Sequence, residues 1–205
     1  MDWKSGNDTI LAFNELIQNK KFNPYSGPLK VGVDLGTANI IVAVVDEKNQ
    51  PVAGATQGAH VVRDGIVVDY MGAVNVVKDL KAQIEEMMKV DLTDASAATA
   101  IPPGIIEGNT KIIANVVESC DFRVTNVVDE PTAAATVLGI QNGAVVDVGG
   151  GTTGISILDH GKVVFTADEP TGGTHMSLVL AGAYHISFDE AEDMKIHEDQ
   201  SKVFP

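Results

Sequence analysis

Two short stretches, 113 residues apart, carry the same chemistry. In each, an apolar run ends at an aspartate and turns through glycine. Val33-Asp34-Leu35-Gly36-Thr37-Ala38-Asn39 closes at Asp46, and Val146-Asp147-Val148-Gly149-Gly150-Gly151-Thr152-Thr153 closes at Asp159. Apolar run, glycine turn and second apolar run read as strand, turn, strand. Glycine permits positive φ and lets the backbone approach a ligand closely, and successive N–H groups in such a turn converge on a phosphate oxygen. The aspartate cannot touch phosphate, because two anions repel. A hydrated Mg²⁺ held by both Asp34 and Asp147 is the chemically sensible intermediary. A Gly-Gly-Gly turn taken singly is only a flexible hairpin. The match of first and thirteenth positions, Asp34 with Asp46 and Asp147 with Asp159, marks instead one architecture used twice, with acids and glycine turns facing a shared cleft.

A chain of 205 residues is long enough to bury the core that such a cleft needs. Its 28 acidic against 14 basic residues give a net charge of −14, which repels nucleic acid and acidic lipid over most of the surface. One cysteine, Cys120, excludes an internal disulfide and a cysteine-rich metal site and fits a reducing compartment. It is expected on the apolar face of a helix as a buried packing residue. No apolar run approaches the roughly 18 residues of a membrane span, and Met1-Asp2-Trp3-Lys4 lacks the layout of a signal peptide, so a cytoplasmic location is expected.

The elements that position the two turns follow in order. Residues 8–21 read as an amphipathic helix started by Asp8, and residues 1–27 as an extension packed on the main body. After the first hairpin, Val61, Val62 and the run Gly65-Ile66-Val67-Val68 suggest a third strand. A helix over about Val74–Val90 follows, carrying Val77, Leu80, Ile84, Met87 and Met88 inward. Next come a buried strand at Ala97–Ile101, a helix over about Glu107–Cys120, a strand at Val124–Val128 and a thin alanine-rich helix opened by Pro131. The second half repeats the order from about Asn142, with a third strand at Val163–Ala167 and a helix after Gly172-Gly173. A short acidic helix opened by Ser187 and Glu190 as a capping box runs to about Met194, and no clear periodicity follows Lys195. The second half stops after three strands and two helices. The expected domains are therefore 28–141 and a partial second one at 142–205.

Three segments together resemble the ATPase superfamily of actin, the DnaK-type chaperones, MreB and FtsA. Asp34 to Asn39 resembles its first phosphate motif, Asp129-Glu130-Pro131-Thr132-Ala133-Ala134-Ala135 its connecting helix, and Asp147 to Thr153 its second phosphate motif. Thr171-Gly172-Gly173-Thr174 is similar to its glycine turn into the outer lobe of the second domain. The resemblance extends from Leu29 to Met194, and within the superfamily the chain is similar to the chaperone-like branch of bacterial ethanolamine utilisation. It implies an α/β chain with a duplicated ribonuclease-H-like (actin-like ATPase) fold, ATP and Mg²⁺ in the cleft, and domain rotation coupled to the nucleotide. By that resemblance Asp34 and Asp147 hold the metal, and Gly36, Thr37, Ala38 and Asn39 meet the β- and γ-phosphates. Gly149, Gly150, Gly151, Thr152 and Thr153 cradle them from the other side, with Gly172 and Gly173 beyond. Glu130 would orient the water that attacks the γ-phosphate in line.

The resemblance also implies a protein client or enzyme complex of ethanolamine metabolism as partner, and an association with a bacterial microcompartment. Two of the superfamily's features have no counterpart here. Neither Arg63 nor Lys78 aligns with the chaperones' lysine near the γ-phosphate, so slow or absent hydrolysis is expected. The adenosine motif and the final helix that returns to the first domain are not found before Pro205. Two functions stay open: an ATP-dependent chaperone-like or reactivating factor, and an actin-like assembly or scaffold protein of the FtsA or MreB type. A sugar-kinase role would need a substrate-binding acid and a larger insertion that the sequence does not show.

Overall fold

A computed structural model describes residues 3–197. Helix α1 (Trp3–Asn19) leads into a five-stranded sheet built from β1 (Lys30–Leu35), β2 (Asn39–Val45), β3 (Pro51–Gly58), β6 (Ser96–Ile101) and β7 (Arg123–Asp129). The strand order is β3-β2-β1-β6-β7. The first three strands are antiparallel, and β6 and β7 run parallel to β1. A two-stranded hairpin of β4 (Val62–Arg63) and β5 (Ile66–Val67) stands apart from that sheet. Helices α2 (Tyr70–Met88) and α3 (Glu107–Glu118) make the two crossovers, and α4 (Glu130–Leu138) leads onward. A three-stranded meander follows from β8 (Gly143–Val148), β9 (Thr153–Asp159) and β10 (Lys162–Glu169), then helices α5 (Gly173–Tyr184) and α6 (Phe188–His197).

The main core lies on one face of the five-stranded sheet. Alternation along β1 and β2 puts Val31, Val33, Leu35, Ile40, Val42 and Val44 on that face, where Val77, Leu80 and Ile84 of α2 and Val116 and Val117 of α3 cover them. Helix α2 is started by Asp69, whose Oδ1 accepts from the Gly72 N–H at 2.9 Å. The opposite face is lined by small residues, Gly32, Ala43 and Gly54, and α1 lies on it at the β3 end. A methyl group on Gly54 would sit 2.5 Å from Cζ of Phe13, so glycine there makes room for the ring.

Three sequence expectations are corrected. The third strand of the sheet is Pro51–Gly58, not Val61, Val62 and the run Gly65–Val68, which contribute to the small β4–β5 hairpin instead. Pro51, Gly54 and two alanines give β3 little strand propensity, but proline is tolerated at the first position of an edge strand. Helix α1 begins at Trp3, so Asp8 lies inside it and does not start it. Cys120 is fully buried as expected but lies two residues past the end of α3, its Sγ 3.2 Å from the Val116 carbonyl. Burial pushes its thiol up to about 11, which leaves it unreactive. The Met pair divides: Met88 is buried in the core and Met87 is half-buried against it.

The second sheet is covered on one face only. Ala135 of α4 packs on Val145 and Leu158, while Val146, Val148 and Phe165 on the other face are each more than half exposed. Two leucines of equal hydropathy therefore differ in consequence. Leu80→Ala is expected to lower unfolding stability by about 2–5 kcal/mol in urea titration. Leu178→Ala, on the exposed side of α5, should change it by less than about 0.5 kcal/mol.

Candidate functional site

The duplicated aspartates occupy the same register in their two sheets. Asp34 pairs with Ile41 across β1 and β2, and Asp147 with Gly154 across β8 and β9. In both cases the acid stands near the end of a strand, just before a tight turn that carries it to the rim of its sheet. Directly opposite residues share a face, and β10 extends the second row, since Gly154 also pairs with Asp168. Asp147, Gly154 and Asp168 thus form one line across the meander. Glycine in its middle keeps that face low: a methyl group there would meet the rings of Pro103 and Pro131 at 3.0 and 3.3 Å.

A cavity of about 180 Å³ lies where the two rims meet. Asp34, Gly36, Thr37, Ala38 and Asn39 line it from the first sheet, and Asp147, Gly149, Gly150, Gly151 and Thr152 from the second, with Glu130 between. Thr153, Gly172 and Gly173 stand behind this wall and brace it. The Gly173 N–H donates to the Gly149 carbonyl at 2.8 Å and the Thr174 N–H to the Gly150 carbonyl at 2.9 Å. The Thr153 hydroxyl donates to the Thr171 carbonyl at 2.6 Å. The two turns touch. A methyl group on Gly150 would lie 2.9 Å from Cβ of Ala38, and one on Gly151 2.6 Å from Oγ1 of Thr37. Any side chain in that segment would force the rims apart.

Glu130 is placed by the joint between the sheets. Asp129, the last residue of β7, accepts the Thr132 N–H at 2.9 Å and so starts α4, with Pro131 in its first turn. The same Oδ1 accepts the hydroxyl of the buried Ser156 of β9 at 3.0 Å. One carboxylate oxygen therefore ties the first sheet, the connecting helix and the second sheet together, and holds the neighbouring Glu130 over the cavity.

Gathering these acids shifts their titration. Burial, then the charge of Asp147, pushes Asp34 up to about 6. Burial followed by the charges of Asp34, Asp147, Asp168 and Asp129 pushes Glu130 up to about 8. Burial also raises Asp147 and Asp168 above the usual carboxylate range. Oδ1 of Asp168 is buried with no hydrogen-bond partner among the described residues. These are the marks of a place that suits a cation. No three acidic, histidine or cysteine side chains among the described residues could enclose a bare ion. Carboxylates spread around a cavity suit a hydrated one, held through its waters.

Sequence reasoning missed Asp168, whose place depends on a pairing with β9 that no local pattern announces. It also missed Asp64 and Gly65, the two positive-φ residues at the tip of the β4–β5 hairpin. Gly65 lines the cavity and Asp64 lies close to Gly151. The Asp-Gly pair was itself the available signal. Lys195 was missed too: its Nζ donates to the Gly173 carbonyl at 3.1 Å and pairs with Glu192 at 2.7 Å, placing a cation at the base of the brace. Arg63 and Lys78 are exposed and do not line the cavity.

The raised acids set a pH dependence. The folded cleft holds protons more tightly than the unfolded chain, so its contribution to stability is fully present below the ordinary glutamate pKa of about 4.3. It is lost as pH rises through about 8. Glu130→Gln keeps the size and removes the charge. In chelator-containing buffer at pH 8 the variant is expected to melt at least about 2–4 °C above the parent, the shift that ~1 kcal/mol gives in a chain of this size. At pH 4.5 the two should melt together, and an equal difference at both pH values would contradict the assignment.

Comparison with known proteins bears on the fold that carries this site. The family described as "Cell division protein FtsA" matches residues 144–203. The ethanolamine utilization protein EutJ of Salmonella typhimurium is 49% identical over 178 residues, which cover 87% of this chain and 62% of that protein. The chain thus spans about three fifths of the length of this relative. The crystal structure of EutJ from Carboxydothermus hydrogenoformans superposes with a TM-score of 0.89 at 48% identity, over 98% of this chain and 73% of that one. MreB 5 of Spiroplasma citri bound to AMPPNP has a TM-score of 0.67 at 22% identity, over 84% of this chain and 63% of that one, a likeness of fold. The paired acidic turns, the fold they stand on and the identity carried across nearly the whole chain lead to one conclusion: the chain belongs to the EutJ family of ethanolamine-utilisation proteins, with a fold like that of MreB 5.

Proposed function

We propose that the cleft binds Mg·ATP and hydrolyses it slowly, and that the nucleotide state drives a chaperone-like action on an ethanolamine-utilisation enzyme complex. The observation that carries this reading is the pair of aspartates in identical register, each followed by a glycine turn, facing one cavity from two sheets. The AMPPNP bound to MreB 5 supports it by likeness of fold.

In this reading Asp34 and Asp147 hold the hydrated ion through its waters. The N–H groups of Gly36 to Asn39 and of Gly149 to Thr152, together with the hydroxyls of Thr37 and Thr152, donate to phosphate oxygens from the two sides. The ion supplies charge compensation for the phosphates. Thr153, Gly172 and Gly173 keep the second turn in shape. Glu130 holds the attacking water and takes its proton. With carboxylates alone around it, Glu130 is protonated at neutral pH, so it serves as a base only once positive charge offsets its neighbours. The cavity of about 180 Å³ is below the roughly 300 Å³ at which small-molecule pockets begin. A nucleotide therefore requires the rims to separate. Residues 28–141 and 142–205 are the two domains that would do so, about the Asp129–Ser156 joint. The client is a protein or enzyme complex of ethanolamine metabolism, in the cytoplasm and associated with a microcompartment. No helix among the described residues is long and apolar enough to cross a membrane.

Calorimetry and thermal shift test this reading. Mg·ATP is expected to raise the melting temperature of the parent, and Asp34→Ala and Asp147→Ala should each abolish that rise. Glu130→Gln should keep the rise and lower phosphate release at least about 10²-fold. A parental shift in both aspartate variants sinks the metal assignment. Sedimentation with and without Mg·ATP separates the chaperone reading from a scaffold role, because nucleotide-dependent filaments would mark the latter.

A further inference from the structure

A second and larger concavity lies away from the acidic cleft. It is an open groove of about 680 Å³ along the outer edge of β3, with Gly54, Ala55 and Thr56 as its floor. The end of α1 supplies Ile17, with Lys20 just past it, on one side, and the end of α2 supplies Met87, with Lys89 just past it, on the other. Because β3 is the terminal strand of its sheet, its outer main-chain groups have no strand partner. We propose that this edge takes up an extended peptide bearing alternating apolar and acidic side chains, as a sixth strand of the first sheet. The proposal does not depend on nucleotide binding.

Three observations carry it. The edge already accepts hydrogen bonds from outside the sheet: the Asn23 N–H donates to the Val52 carbonyl at 2.8 Å and its side-chain amide to the Pro51 carbonyl at 3.0 Å. That pairing then stops. Among the described residues, no main-chain group of Gly54–Gly58 has a hydrogen-bond partner beyond β2 and the turn that follows. Unpaired edges are usually blunted by charge, proline or cover. Here the stretch after Pro51 carries no charge, and a helix packs on each face of the sheet beside it.

The walls define the occupant. Ile17 and Met87 offer apolar surface on opposite faces, which suits side chains alternating along a strand. Lys20 and Lys89 end α1 and α2, both with positive φ, and among the described residues neither forms an ion pair. With Glu86 as the one acid in the groove, the lining is net cationic in a chain of net charge −14, so it favours an acidic peptide. A second copy of this chain fits less well, because each β3 edge is recessed between its own two helices.

The test uses the fluorescein-labelled hexapeptide Glu-Val-Asp-Val-Glu-Val, read by anisotropy and by hydrogen exchange of the full chain. Saturable binding should slow exchange at the amides of residues 54–58. Two versions N-methylated on alternate amides should differ, one losing affinity about tenfold or more and the other retaining it, because only alternate N–H groups face the edge. The double variant Lys20→Asn, Lys89→Asn, whose asparagines tolerate the left-handed backbone, should weaken the acidic peptide several-fold. It should leave the glutamine and asparagine analogue of the peptide unchanged. No saturable binding at 1 mM peptide, equal affinity of the two N-methylated forms, or protection confined to other elements would each overturn the proposal. So would a concentration-dependent dimer that protects residues 54–58 without peptide.

Discussion

Like charges brought together must be held together by something else. Asp34, Asp147 and Glu130 line one small cavity, where burial opposes each charge and Glu130 also feels the charges of Asp34, Asp147 and the nearby Asp168. The first sheet supplies the restraint, since its core of valines and leucines between β1, β2, α2 and α3 fixes where β1 ends. The second sheet has far less core and is held instead through Ala135 of α4 and through Ser156 on the Asp129 carboxylate. Stability is thus concentrated in one half of the molecule, and the other half is placed by a helix and a few polar contacts.

What was legible in the sequence is what rests on local pattern. The apolar runs, the glycine turns and the capping pair at Ser187 and Glu190 are short-range features, and the duplicated aspartates stand in the same strand register and line one cavity. Pro51–Gly58 escaped because its small residues are chosen for what lies against them: Gly54 is small to admit Phe13, a contact with a helix about forty residues earlier. Asp168 escaped for a related reason. Its role follows from sharing a row with Asp147 through Gly154, and that register becomes visible only once β8, β9 and β10 are aligned.

The two halves, though built on one plan, are finished differently. In the first sheet α2 and α3 cover one face and α1 lies on the other. In the second, α4 covers the face bearing the acids, while Val146, Val148 and Phe165 remain open on the reverse. Helix α5, which follows the third strand of the second sheet as α2 follows that of the first, packs with α6. The Gly172–Gly173 turn sends it there, and Lys195 of α6 fixes that direction by holding the Gly173 carbonyl. The same turn braces the glycine loop at the cavity, so outer lobe and cleft wall are mechanically one piece.

The contact between Gly150–Gly151 and Thr37–Ala38 has a kinetic meaning. In the proposed reading the rims part to admit a nucleotide, so a ligand too large for the space between them would arrive no faster than they part, however concentrated it is. Arrival would then level off with concentration at the opening rate, and departure would be slowed by the same gate. In that reading, residence time in the cleft would be a property of the joint at Asp129 more than of the groups that line it.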